Sequence, residues 1–189
     1  MGIREIIKKR FNSNGFTMIE MIAAMVLVSI LVPGISIIIR GSLLNVAFTN
    51  MAVLANMEAD FAQRKFVKHI NGVKSFSAGE LSENSLKFTS YFNNAVYEYN
   101  IDQATQTIKC SKDGGADGIL LQRVVKDTTI DADQYISKFK YKDKNNNDLG
   151  NSPAASEVHG VELTFYLLRG ESFYKYTTYA TTDKEQIDL

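Results

Sequence analysis

Apolar residues are spread very unevenly along this chain. Residues 16–39 form a run of 24 positions whose only clearly polar side chains are Thr17, Glu20, Ser29 and Ser36. As an α-helix rising about 1.5 Å per residue, the run is about 36 Å long and crosses a hydrocarbon layer about 30 Å thick. The pattern predicts a transmembrane helix. Beyond Arg40-Gly41-Ser42 the apolar residues become periodic: Leu43, Val46, Ala47, Leu54, Met57, Phe61 and Ile70 fall mostly three or four apart. Glu58, Asp60, Arg64, Lys65 and Lys68 fill the gaps, which is the pattern of an amphipathic helix resting one face on a domain. It should end near Asn71-Gly72. One long helix is expected, half in the membrane and half outside it.

After Ser75 the periodicity shortens. Runs rich in β-branched and aromatic residues occupy 85–92, 95–101, 105–110, 119–125, 136–141, 158–168 and 174–180. Turn-forming breaks separate them at Asn93-Asn94, Asp113-Gly114-Gly115, Asn145-Asn146-Asn147 and Arg169-Gly170, so an antiparallel sheet is expected, with the helix covering one side. The fold class is α+β. The expected organisation is a leader at 1–15, a transmembrane helix at 16–39, its amphipathic continuation at 40–72 and a β-rich globular head at 73–189. Within the span, Pro33-Gly34 removes one N–H from the helical ladder and lowers helix stability, predicting a kink or a partly unwound stretch.

Composition adds few constraints. The 189 residues are 45% hydrophobic and 22% charged, enough for one domain and one anchor. Basic and acidic residues balance at 21 each, so overall charge points to no polyanion or acidic surface as partner. The leader holds four of the basic residues and one of the acidic ones, which leaves the remainder mildly acidic. Cys110 is the only cysteine, so no intramolecular disulfide can form, and its strand-like context suggests a small buried apolar residue.

The leader is the informative end. Arg4, Lys8, Lys9 and Arg10 against Glu5 keep residues 1–15 cytoplasmic by the positive-inside rule and send the rest of the chain outward. An ordinary secretory signal places its cleavage site after the apolar run, whereas the cleavage-like junction Asn14-Gly15-Phe16-Thr17 lies before it. A cut there leaves the helix attached. A glycine before the cut lets a membrane protease approach the backbone closely. A carboxylate near one end of a span, such as Glu20, is seldom kept without a partner. The amine created at Phe16 is one helical turn away.

Gly15-Phe16-Thr17-Met18-Ile19-Glu20 followed by an apolar run resembles the N-terminal signal of type IV prepilins. The resemblance implies cleavage by prepilin peptidase after Gly15, N-methylation of Phe16 as the new first residue, and an assembly role for Glu20. It further implies other pilin or pseudopilin subunits and the assembly platform of the membrane as partners. The location implied is the cytoplasmic (inner) membrane, crossed once with the head outside, and then a pilus or pseudopilus. In related filaments a segment like Pro33-Gly34 often extends when subunits pack. The signal is shared by secretion pseudopili, retractile pili and competence filaments.

The order of the later elements is similar to minor pilins and pseudopilins of the J-subunit and W-type groups, which favours a minor subunit over a major pilin. A rival reading is a membrane-anchored head that binds DNA or another ligand in uptake or adhesion. Tyrosines interleaved with Lys138, Lys140, Lys142 and Lys175 fit that reading, yet alternation on a sheet produces the same pattern by packing, so nucleic acid is not expected as a partner. Residues 143–150 loosely resemble a calcium loop but lack its closing glutamate, and a hairpin turn is expected. Residues 113–118 are glycine-rich without the lysine and hydroxyl of a phosphate loop. His69 and His159 lack ligand spacing, and no metal site, cofactor or catalytic constellation emerges. The chain reads as a structural subunit, not an enzyme.

Overall fold

The computed structural model describes residues 17–124, 136–170 and 172–182. A single helix, α1, runs Met18–Asn71. Eight strands follow: β1 Val73–Phe76, β2 Ser85–Ser90, β3 Val96–Asp102, β4 Thr107–Lys112, β5 Gly118–Gln122, β6 Lys138–Lys142, β7 Gly160–Arg169 and β8 Ser172–Thr181. This is the α+β arrangement expected, one long helix followed by antiparallel strands. Two compact units divide it, Met1–Ala47 and Phe48–Leu189, so α1 contributes to both.

In the first unit the described part of α1 is exposed along its whole length and is long and apolar enough to cross a membrane. The helix is unbroken through Pro33 and Gly34, so the partly unwound stretch expected there is absent from this structure. Proline removes only one N–H from the ladder, a local loss that the flanking turns absorb. Nearby hydroxyls engage the helix carbonyls, Ser29 Oγ donating to Val26 O at 2.7 Å and Ser36 Oγ to Val32 O at 2.8 Å.

The second unit holds two antiparallel sheets where one was expected. Five strands run in the order β1-β2-β3-β4-β5 and three in the order β6-β7-β8. The chain leaves the first sheet at Arg123, whose φ of 58° is left-handed. That turn aims the Arg123 carbonyl at Leu168 N, 3.2 Å away, and lets Val124 bridge Leu167 of β7. A left-handed non-glycine residue costs about 1–2 kcal/mol, which the two bridging contacts offset. The short strand β1, not foreseen in the sequence, completes the first sheet by pairing Phe76 with Phe88.

The helix meets the sheets through a different face from the one its large apolar residues suggested. Ala55, Ala59, Ala62, Phe66 and Ile70, at helical spacings of four, three, four and four, are all at most 1% exposed. Leu54, Met57 and Phe61 are 56%, 65% and 61% exposed. Beyond the small alanines, Phe66 reaches into the space between the sheets. Its ring lies edge-on to Tyr99 of β3 with centroids 5.6 Å apart, and stacks with Phe139 of β6 at 6.1 Å. One helical side chain therefore touches both sheets.

Polar contacts fix the register of this packing. Arg169, buried at the end of β7, pairs with Glu58 of α1 and donates to Leu168 O at 2.8 Å. A buried guanidinium is tolerated only with such partners. On edge strand β8, Thr177 O accepts a bond from Gln63 Nε2 at 3.3 Å, and Tyr176 O–H donates to Asn56 at 2.6 Å. With its amide turned to satisfy its neighbours, Asn71 donates to Thr181 O at 3.1 Å.

His69 stands on the same helix, its Nδ1 2.7 Å from the Tyr99 hydroxyl and its ring 4.4 Å from that of Tyr97. Burial, together with the charges of Lys65 and Lys68, lowers its pKa from 6.5 to about 4. At neutral pH the imidazole is uncharged and shares a hydrogen bond with the Tyr99 hydroxyl.

Two outcomes follow from this core. Phe66→Ala should cost about 3–5 kcal/mol and Phe61→Ala less than about 0.5 kcal/mol, measured by urea unfolding of the full chain in detergent. Equal costs would contradict the assigned face. For His69, the unfolded chain holds the extra proton between pH 6.5 and about 4, so stability is full above that window and falls as pH drops through it. Allowing for partial exposure of the ring, about 1–2 kcal/mol should be lost. Urea midpoints at pH 7 and 4.5 should show this slope in the native chain and lose it in His69→Gln.

Candidate functional site

Of the residues singled out for processing and assembly, the structure describes Glu20, in the first turn of α1. Gly15 and Phe16 lie outside the described residues, and Thr17 is the first position described. Thr17 is the N-cap: its carbonyl accepts the first helical bond, from Met21 N at 3.2 Å. Its hydroxyl accepts a bond from Glu20 N at 3.4 Å and donates to Glu20 Oε2 at 2.9 Å. Thr17 N donates to the same carboxylate oxygen, also at 2.9 Å.

This reciprocal pair is a capping box, in which two backbone N–H groups without helical partners are satisfied by one threonine and one glutamate. The signature Thr-x-x-Glu before an apolar run was present in the sequence and not used. Placing the carboxylate in the first turn also sets its charge against the positive end of the helix dipole. Among the described residues Glu20 Oε1 takes no hydrogen bond, so half of the carboxylate remains open to an external cation. A cut between residues 15 and 16 leaves the Phe16–Thr17 peptide intact, so the Thr17 N–H and the box survive it.

Along the helix, Arg40 is the only charged side chain between Glu20 and Glu58. The ion pairs described all begin at Glu58 or beyond, and none involves Arg40. Pro33 and Gly34 lie inside the helix between the two charges.

The head's other candidates are occupied by structure. Asp143 accepts bonds from the N–H groups of Asn145 and Asn147 at 2.8 and 2.7 Å and from Asn147 Nδ2 at 2.9 Å, which holds its pKa below the usual range. Asp148 pairs with Lys142 at 2.6 Å. That loop is a self-bonded turn. Asp113 accepts from Val96 N at 2.7 Å and turns the chain between β4 and β5. Among the described residues, no group of three or more His, Cys, Asp or Glu is placed to hold a metal. Cys110 is buried, and burial raises its thiol pKa. Tyr99 and Tyr141 are core residues whose hydroxyls burial pushes well above their ordinary range. The lysines of β6 stand on the opposite face from Phe139 and Tyr141, with Lys138 near Glu83 and Lys142 on Asp148.

Comparison with known proteins agrees with this concentration of signal. Residues 10–32 match the family model described as the prokaryotic N-terminal methylation motif. No curated protein and no solved structure matches the chain. The matched segment takes in the junction before Phe16, the capping box and the first turns of the apolar helix. The chain thus carries a prepilin-type N-terminal methylation motif at the head of a long apolar helix, an arrangement consistent with a type IV pilin-like protein.

Proposed function

We propose that this protein is a structural subunit, a minor pilin or pseudopilin, of a type IV pilus or type II secretion-like filament. The observation that carries the reading is the methylation motif placed directly before an apolar helix whose first turn holds Glu20. Prepilin peptidase cuts after Gly15, Phe16 becomes the N-methylated first residue, and residues 16–39 hold the chain in the inner membrane with the leader cytoplasmic and the head outside. The assembly platform then draws the helix into a filament of other pilin subunits.

The physical logic is charge compensation. An ionised carboxylate in an apolar setting needs a cation or several donors. Thr17 supplies two donors to one oxygen, and the Phe16 amine released by cleavage supplies a cation within one turn, on the same chain or a neighbouring one. Pro33 and Gly34 give the helix a place where turns can extend when lateral contacts replace helical bonds.

Intact-mass and N-terminal analysis of the protein from cells with active prepilin peptidase should find a chain beginning at Phe16 and carrying one added methyl group. A chain still beginning at Met1 would sink the processing claim. Glu20→Ala should be cleaved normally while its recovery in sheared filaments falls at least tenfold. Undiminished incorporation would remove the assembly role from Glu20.

A further inference from the structure

We propose that Arg40 of one copy of this chain docks on the open side of the Glu20 carboxylate of a second copy, an inference that rests on the filament reading above. The two residues are the only charges on α1 from its start to Glu58, and they are of opposite sign. In a single copy they cannot meet: twenty residues of unbroken helix separate them by about 30 Å. Arg40 has no ion pair among the described residues, and Glu20 uses only Oε2 toward Thr17.

In the membrane this spacing matches the hydrocarbon thickness of about 30 Å, so both charges reach the two interfaces at once. That solution disappears when the helix leaves the lipid for a bundle of like helices. Each charge then needs a partner, because an unpaired ion among apolar side chains is strongly disfavoured. Sliding a parallel second copy by about 30 Å brings Arg40 level with Glu20 and satisfies both. A planar guanidinium suits a carboxylate oxygen, and the remaining acceptor sites leave room for the Phe16 amine.

The contact joins two different patches of the same chain. Such a head-to-tail contact does not close on itself, so it leaves one patch free at each end for further subunits of the filament. The charge pair would thus set the axial stagger, while the apolar residues between supply the area. The charge-free stretch at 41–47, with Leu43, Leu44 and Val46 exposed, extends the same packing surface past Arg40.

The test uses the full chain in filament-producing cells. Two differently tagged forms are co-expressed on a Cys110→Ala background, one carrying Met21→Cys and the other Gly41→Cys, and sheared filaments are treated with a short bis-maleimide. A product joining the two tags should form at least tenfold more than with a Met21→Cys and Ser29→Cys pair. Filaments containing both forms without that product would overturn the contact. A product joining the Gly41→Cys form only to other subunits would overturn the choice of a second copy. Arg40→Glu should lower incorporation at least tenfold and Arg40→Lys should retain it; native-level incorporation of Arg40→Glu counts against the pair. The underlying filament reading fails differently, with the unaltered chain uncleaved and missing from filaments.

Discussion

Seating α1 through Ala55, Ala59, Ala62, Phe66 and Ile70 is the contact around which the rest of the head is arranged. Within it Phe66 lies between Tyr99 and Phe139, one from each sheet. The same contact brings Glu58 to the buried Arg169 and the side chains of Asn56, Gln63 and His69 within bonding reach of the strands. A larger residue in the alanine row would push these partners apart together, since protein interiors yield little to added volume.

How much of this was legible depends on which physical effect dominated each segment. The membrane-length apolar run and the antiparallel strands declared themselves because continuous hydrophobicity and period-two alternation are strong local signals. The processing signal was equally plain, since Gly15, Phe16 and Glu20 stand together. The buried helix face was misjudged. Spacings of three and four placed Ile70 correctly but also picked out Leu54, Met57 and Phe61, whereas Ala55, Ala59, Ala62 and Phe66 are the other buried positions, a choice of face that only the tertiary contact decides. The division into two sheets follows from which strands pair, and pairing between strands distant in sequence leaves no local signal; the left-handed Arg123 at the end of the first sheet is likewise unannounced by its residue type. The capping box was readable and was overlooked because Glu20 already had a role assigned by resemblance.

The helix answers to two environments along its sequence. Its first part has apolar side chains on every side, as lipid or a bundle of similar helices requires, and no internal core stabilises it. Its last part is stabilised by tertiary packing of a narrow alanine and phenylalanine stripe.

The amide side chains along α1 have a consequence for solubility. Strand β8 is ten residues long and stands at the edge of its sheet, the situation that invites strand addition and cross-β growth when many copies crowd together. Gln63 and Asn71 occupy the Thr177 and Thr181 carbonyls on that strand. The amides of one helix thus leave fewer backbone acceptors on the edge for a second chain to pair with.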